Sequence, residues 1–416
     1  MLNLPPRAGQ RRTINLGKDN VSPRIGPWRF SPLPSNSEIK TTKRIASGTL
    51  ALSLMLALSP AFADDLSDVH AKHRHFEIWL APQSLPPPPL SRDEDFMQLF
   101  TPDAPWHFAA AHTQVFKLYG SFVGHATQDQ INTIVADLNR RHIAIALENG
   151  ILLADSGPPA GNASTGQVMP INASTEAAPN PPPPCGGLGR VEGYATPQQA
   201  TRIANMIKSA GGEIKYLAMD EPLWHGRFSD QPFTCHSTVE TLLRQAKPVI
   251  EAYRAVFPDI AFGEGEPTRF PSYPNWQADL YQWLLGINQI TGKPLAFMQL
   301  DIPWTDDGKK VPGAEFVSRE PADAITFYRQ LEAFKGQEIL DRIGIIHDGT
   351  ELDTTDIAWL DDAKKHVIEL EQFHGLRPDQ QLFQTWMPHP SRALPESDST
   401  TLTSLVDWYV KEHLTR

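Results

Sequence analysis

The sequence predicts a single-domain (β/α)8 (TIM) barrel over residues 64–416, eight parallel strands each followed by a helix, and three observations carry that expectation. Eight short runs of strand character alternate with helical patterns along the chain, and strict alternation implies parallel strands joined by helical crossovers. Acidic and aromatic residues gather where the apolar runs end, which is the mouth of such a barrel. The first strand is not followed by the glycine-rich turn of a doubly wound open sheet, the competing architecture.

The chain has 416 residues, 40% hydrophobic and 20% charged, a globular composition with material for a large core. Its first 63 residues stand apart as a leader. Lys43 and Arg44 precede an apolar run from Leu50 to Leu58, and Ala61-Phe62-Ala63 then supplies small residues before Asp64. That is the pattern of a secretory signal peptide cleaved near Ala63, and it predicts a secreted or periplasmic protein. The run is too short for a hydrocarbon core of roughly 30 Å, so no membrane span is expected after cleavage. Residues 1–42 are polar and proline-containing; Arg11-Arg12 lies too far upstream for a twin-arginine signal, and the leader is bacterial in character. Cleavage removes nine of the 37 basic and two of the 48 acidic residues, which moves the net charge from −11 to −18. So acidic a chain does not suit nucleic acid, which is bound through clustered Lys and Arg.

The first strand is expected at Phe76–Ala81, then a proline-rich loop through Pro86–Pro89 and a short helix near Arg92–Phe100. The second is Val115–Gly120, and its helix carries Ile131, Ile134, Val135 and Leu138 on one face. The third, Ile143–Leu147, ends at Glu148-Asn149-Gly150 and opens a Pro- and Gly-rich insertion at about 154–184. Asn162 and Asn172 match the glycosylation pattern but are expected unmodified under a bacterial leader. A helix with Ile203, Met206, Ile207 and Ala210 follows, stopped by Gly211-Gly212. The fourth strand begins at Tyr216 and runs into Asp220-Glu221-Pro222, where proline ends the ladder. Its helix, Thr238–Phe257, is expected to kink or break at Pro248. The fifth strand, Ile260–Gly263, ends in Glu264-Gly265-Glu266-Pro267, and the sixth, Leu295–Leu300, in Asp301-Ile302-Pro303-Trp304. The seventh, Arg342–Ile346, ends in His347-Asp348-Gly349, and the eighth, Leu382–Thr385, in Trp386-Met387-Pro388-His389. Helices are expected near Trp276–Thr291, Pro321–Lys335, Thr355–His374 and Thr401–His413.

Active sites of such barrels lie at the C-terminal mouth, so the strand-end residues are the candidates. They are Lys117, Glu148, Asp220, Glu221, Glu264, Glu266, Asp301, His347, Asp348 and His389, with Trp224, His225, Trp304 and Trp386 beside them. Carboxylates framed by tryptophans suit carbohydrate. Sugar rings stack C–H faces on indole, and glycoside hydrolysis needs one carboxyl as acid and a second carboxylate as nucleophile or base. Taken singly, each acid also suits the N-terminus of the helix that follows it. Trp276, Tyr281, Trp283, Trp359 and Trp408 sit on helices and read as core, and Trp79 lies within the first strand, where it can fill the barrel.

Asp220-Glu221-Pro222 at the end of the fourth strand resembles the Asn-Glu-Pro motif of the large clan of retaining (β/α)8 glycoside hydrolases, the cellulase and β-galactosidase relatives. The resemblance implies that Glu221 is the acid/base and that its partner stands at the end of the seventh strand, where Asp348 falls. Asp220 replaces the clan's Asn and Asp348 its Glu, and the shorter side chain draws the carboxylate back. Glu264 is the second candidate partner, with the wider spacing of an inverting enzyme. Asp220, Glu148, Asp301, Trp224, Trp304, Trp386, Lys117 and His347 would then bind substrate or tune Glu221. No organic cofactor is implied and no metal site is assigned. Two other readings stay open: a metal-dependent hydrolase or isomerase using Glu148, Asp220, Glu264, Asp301 and His347, and a barrel that binds glycan without turning it over. His73-Arg74-His75 precedes the first strand, at the wrong end for a metal site of the amidohydrolase kind, and neither His-Glu-x-x-His nor a serine elbow is present. Cys185 and Cys235, the only cysteines, follow neighbouring strands, and export would allow them to pair.

Overall fold

The computed structural model describes residues 76–83, 96–153, 193–229, 236–304, 321–350 and 352–414. The signal peptide and leader, the His73–His75 cluster, the loop at Pro86–Pro89, the 154–184 insertion with its two asparagines, and both Cys185 and Cys235 lie outside the described residues.

In chain order the strands are β1 (Glu77–Ala81), β2 (Val115–Tyr119), β3 (Ala144–Asn149), β4 (Leu152–Leu153), β5 (Tyr194–Ala195), β6 (Ile214–Asp220), β7 (Ala261–Pro267), β8 (Met298–Asp301), β9 (Ile343–His347) and β10 (Gln380–Gln384). β4 and β5 form a small parallel ribbon of their own. The other eight form a closed barrel in which every pairing is parallel and β1 pairs with both β2 and β10. The helices are α1 (His107–His112), α2 (Gly120–His125), α3 (Gln128–Arg141), α4 (Pro197–Ser209), α5 (Val239–Val256), α6 (Trp276–Thr291), α7 (Ala322–Lys335), α8 (Asp356–Ile368) and α9 (Leu402–Tyr409). A helix therefore follows every barrel strand, as expected of a (β/α)8 barrel. No helix among the described residues is long and apolar enough to cross a membrane.

Alternation along each strand sorts side chains between the barrel axis and the helix layer. Three tiers fill the axis. At the N-terminal end Glu77 accepts Tyr216 Oη–H at 3.0 Å, Trp79 Nε1–H at 3.0 Å and Gln380 Nε2–H at 3.1 Å, and pairs with Arg342 at 2.9 Å. Burial would raise the Glu77 carboxyl, but Arg342, the Trp79 indole, Lys215 and the Tyr216 hydroxyl outweigh it and hold it below its usual range. Above this plug Trp79, Tyr216 and Phe297 meet with ring centroids 5.0–5.7 Å apart. The third tier, at the mouth, is acidic. A cavity of about 480 Å³ lined by Glu77, Gln114, Arg141 and Lys215 opens at the opposite, N-terminal end, away from those acids.

Three expectations change. β7 does not stop at Gly263 but runs on to Pro267, pairing Glu264 with Met298 and Glu266 with Leu300. The acids had marked a strand end only on the assumption that buried strands exclude charge. α5 continues through Pro248 without a break: Ala246, Val249, Ile250 and Tyr253 are buried on either side of it, and that burial offsets one missing N–H. The helix expected at Arg92–Phe100 is described as a 3₁₀ turn at Phe96–Phe100, and α1 and α2 are additional short helices.

Candidate active site

The site is built around the turn that ends β6. Tyr216, Ala218 and Asp220 take the axial positions of that strand, and alternation would send the next side chain outward. At Glu221 the strand alternation no longer applies: its backbone is left-handed, with φ +42°, a conformation that costs a non-glycine residue of order 1 kcal/mol and is retained where the surroundings enforce it. Its N–H donates to Gly265 O at 3.1 Å, and its carbonyl accepts the His225 N–H at 3.0 Å as the chain enters a π-helical turn, Trp224–Phe228. His225 Nε2 stands 3.0 Å from Glu221 Oε2, and the glutamate side chain keeps 17% of its surface open. Gly193, at φ +83°, passes so close that an added Cβ would lie 3.1 Å from Asp220 O and 3.4 Å from His225 Cβ.

Around this turn the axial face of other strands brings up polar groups. Lys117 of β2 is almost wholly buried, and its Nζ donates to Glu148 Oε2 of β3. Tyr119, two residues further along the same face, donates its hydroxyl to Thr385 O at 3.2 Å, at the end of β10. Asp301 ends β8 on the axial face beside Gln299, paired in register with Pro267. Asp348 follows Gly344 and Ile346 on the axial alternation of β9 and is only 2% exposed. Its carbonyl accepts His366 Nδ1–H at 2.8 Å from α8. Trp386, just past β10, leaves 40% of its surface open, the most exposed tryptophan of the described chain near the mouth. The structure thus places Asp220, Glu221, Glu148, Lys117, Asp301, Asp348 and Trp386 at or facing the C-terminal end.

Other candidates lie elsewhere. Gly263 and Gly265 occupy the axial positions of β7, the first pressed against the Phe297 ring, so Glu264 and Glu266 face the helix layer. Both are fully buried. Glu264 accepts Trp283 Nε1–H from α6 at 2.8 Å, and burial raises its carboxyl to about 8. Glu264 is therefore not the partner carboxylate across the mouth. His347 also points outward. It is fully buried, stacks on Phe383 and contacts Gln381, which in turn donates to Glu371 and Tyr409; burial lowers the ring's affinity for a proton to about 4. Trp224 packs edge-on to Phe270 and Tyr273, and Trp304 stacks at 3.7 Å on His366, so both are walls of the core rather than open platforms. His389 is held by Asp356 at 2.5 Å, at the start of α8.

With Glu264 and His347 on the outside, the five residues of the metal reading do not converge. Among the described residues no three His, Cys, Asp or Glu side chains stand at metal-ligand spacing. The capping alternative is also answered in part: threonines 127, 196, 238 and 355 accept the first-turn N–H groups of α3, α4, α5 and α8. Sequence reasoning missed Tyr119, although Lys117 and period-two alternation pointed to it. It also took Trp283 for inert core, and nothing local could have shown that its indole meets an acid 19 residues away.

No protein-family model matches the chain, and no curated protein matches it in sequence. Solved structures do match. The virulence factor SghA from Agrobacterium tumefaciens is 11% identical, covering 82% of this chain and 98% of its own, with a TM-score of 0.39. Xylanase XynB from Paenibacillus barcinonensis is 12% identical over 79% and 90%, with a TM-score of 0.41. Morphinone reductase is 11% identical over 80% and 85%, with a TM-score of 0.42. Most of the matched structures are glycoside hydrolases, but at these scores no functional weight rests on them.

Proposed function

We propose that the chain is a glycoside hydrolase acting on an oligo- or polysaccharide, with Glu221 as acid/base and Asp348 as its partner carboxylate. One observation carries the reading: Glu221 stands directly after β6, at the end of the barrel where active sites lie, with a left-handed backbone and His225 beside its carboxyl. A protonated Glu221 would donate to the glycosidic oxygen while Asp348 attacks the anomeric carbon or activates water, according to the separation of the two. Asp220, Glu148 and Asp301 offer acceptors for sugar hydroxyls, Lys117 orients Glu148, and Trp386 offers an open indole face. The signal-peptide pattern of the leader supports an activity exerted outside the cytoplasm, in the periplasm or medium.

The test is hydrolysis of aryl glycosides and oligosaccharides by the full chain, beside Glu221→Gln and Asp348→Asn. Each substitution is expected to lower kcat by at least about 10²-fold, the scale of general acid–base catalysis. Turnover that survives either change at near wild-type rate removes that residue from the reaction, and turnover abolished by chelator would transfer it to a metal. Sugar binding without turnover in the unmodified chain would identify a glycan-binding barrel instead.

A further inference from the structure

Behind the mouth, on the outer face of β7, Glu264 and Glu266 stand two residues apart in a site closed to water. Glu264 Oε2 accepts Trp283 Nε1–H, while its Oε1 has no hydrogen-bond partner. Glu266 uses both oxygens. One accepts the Leu223 N–H at 2.8 Å and the other the Trp224 N–H at 3.2 Å, the first amides after Pro222. Glu266 thus grips the chain two residues beyond Glu221.

Two neighbouring carboxyls in a dry site do not both ionise near neutral pH. Burial, the charge of Glu264 and the charge of Glu221 all push the Glu266 carboxyl upward, and burial does the same to Glu264. The hydrogen bonds decide between them. Two N–H groups at the start of a helical turn favour an anion on Glu266, and the bare Oε1 of Glu264 is where a proton fits.

We propose that Glu266 is a positioning residue for Glu221: its two oxygens pin the Leu223–Trp224 turn, and its negative charge opposes ionisation of Glu221, while protonated Glu264 stands behind it. The proposal rests on the reading of Glu221 as acid/base. The charged and titratable groups about Glu221 are Asp220 and His225 from its own strand and turn, Glu266 from β7, the Lys117–Glu148 pair from β2 and the neighbouring β3, and Asp301 and Asp348 at the ends of β8 and β9; Arg227 is engaged by Asp279 of α6 at 2.6 Å. A protonated His225 favours the Glu221 anion and Glu266 favours the acid, so the two neighbours pull its proton affinity in opposite directions. A general acid needs that proton at working pH.

The test is the titration midpoint of Glu221 in the full chain, followed by ¹³Cδ-glutamate NMR, with its resonance identified by loss in Glu221→Gln. In Glu266→Gln the midpoint is expected to fall by about one pH unit, and in Glu266→Asp, which keeps the charge, to return part of the way. An unmoved or raised midpoint in a folded Glu266→Gln overturns the proposal. If that variant gives no cooperative melt, Glu266→Asp is read alone: the withdrawn charge is expected to lower the midpoint by less, and an unmoved or raised midpoint overturns the proposal. Glu264→Gln is expected to leave the midpoint in place, and a fall matching that of Glu266→Gln would overturn the assignment of the charge to Glu266. The midpoint is read on the carboxyl itself, so the two readings fail separately. A shift without glycoside turnover upholds the link and refutes the hydrolase, and turnover without a shift overturns the link.

Discussion

At Gly263 the barrel admits a hydrogen and nothing larger. An added Cβ would lie 2.4 Å from the Phe297 ring, whose edge meets Trp79 and Tyr216 in the aromatic tier. Phe297 cannot retreat without disturbing both, so Gly263→Ala is expected to cost about 1–3 kcal/mol by overpacking, read as a lower midpoint in denaturant. A midpoint within error of the wild type would show that the ring has room to turn. The same two glycines of β7 that accommodate the axis also decide where the acids go, because whatever stands between them must face outward. Glu221 shows another device, a single left-handed residue that ends the regular alternation of its strand.

Among the elements, α4 shows how the scaffold is tied independently of the site. Thr196 accepts the Gln199 N–H, Gln199 Oε1 accepts the Thr196 N–H at 3.0 Å, and Pro197 opens the helix where its missing N–H costs nothing. Thr196→Ala is expected to destabilise by about 1 kcal/mol, measured by thermal melting, with no change in activity beyond the loss of folded protein. A selective fall in kcat at full folding would contradict a purely structural cap. Threonine side chains likewise hold first-turn amides of α3, α5 and α8, so these helix starts are capped by neutral hydroxyls. Glu266, like Glu396 on the Phe108 and Ala109 amides of α1, is an acid on the first amides of a helical turn, and it acts from the strand beside the turn.

For the whole molecule, the buried titratable groups outside the mouth set how stability depends on pH. His347 and His366 are both lowered to about 4, chiefly by burial, so the stability of the neutral-ring fold is complete above pH 6.5 and is lost as pH falls through about 4. Glu264 is raised to about 8, so its contribution is complete below pH 4.5 and is lost as pH rises through about 8. Between pH 4.5 and 6.5 the two trends oppose one another. The melting temperature is expected to be highest in the mildly acidic to neutral range and to fall by about 5 °C or more between pH 6.5 and 8.5, with Glu264→Gln removing most of the alkaline descent. An identical alkaline descent in Glu264→Gln would mean that the buried acid is not its source.

The sequence by itself determined the architecture. Eight apolar runs alternating with helical stripes admit few closures, and the runs at Val115–Gly120, Arg342–Ile346 and Tyr216–Asp220 lie within two residues of the strands observed. It also marked Glu221, Asp348 and the other strand-end acids as candidates, because charge at the end of a buried strand needs a cause. Tertiary structure alone decided which way each side chain faces. Glu264 and His347 look like mouth residues in the chain because burial and pairing are not visible there; their partners, Trp283 and Gln381, come from distant positions. Gln380 and Gln381 opened β10 unnoticed for the same reason, since a polar residue reads as loop until the acid or histidine that satisfies it is in place. Periodicity is a local property of the chain, and direction in a closed barrel is set by register with both neighbours and by what the facing residues leave free.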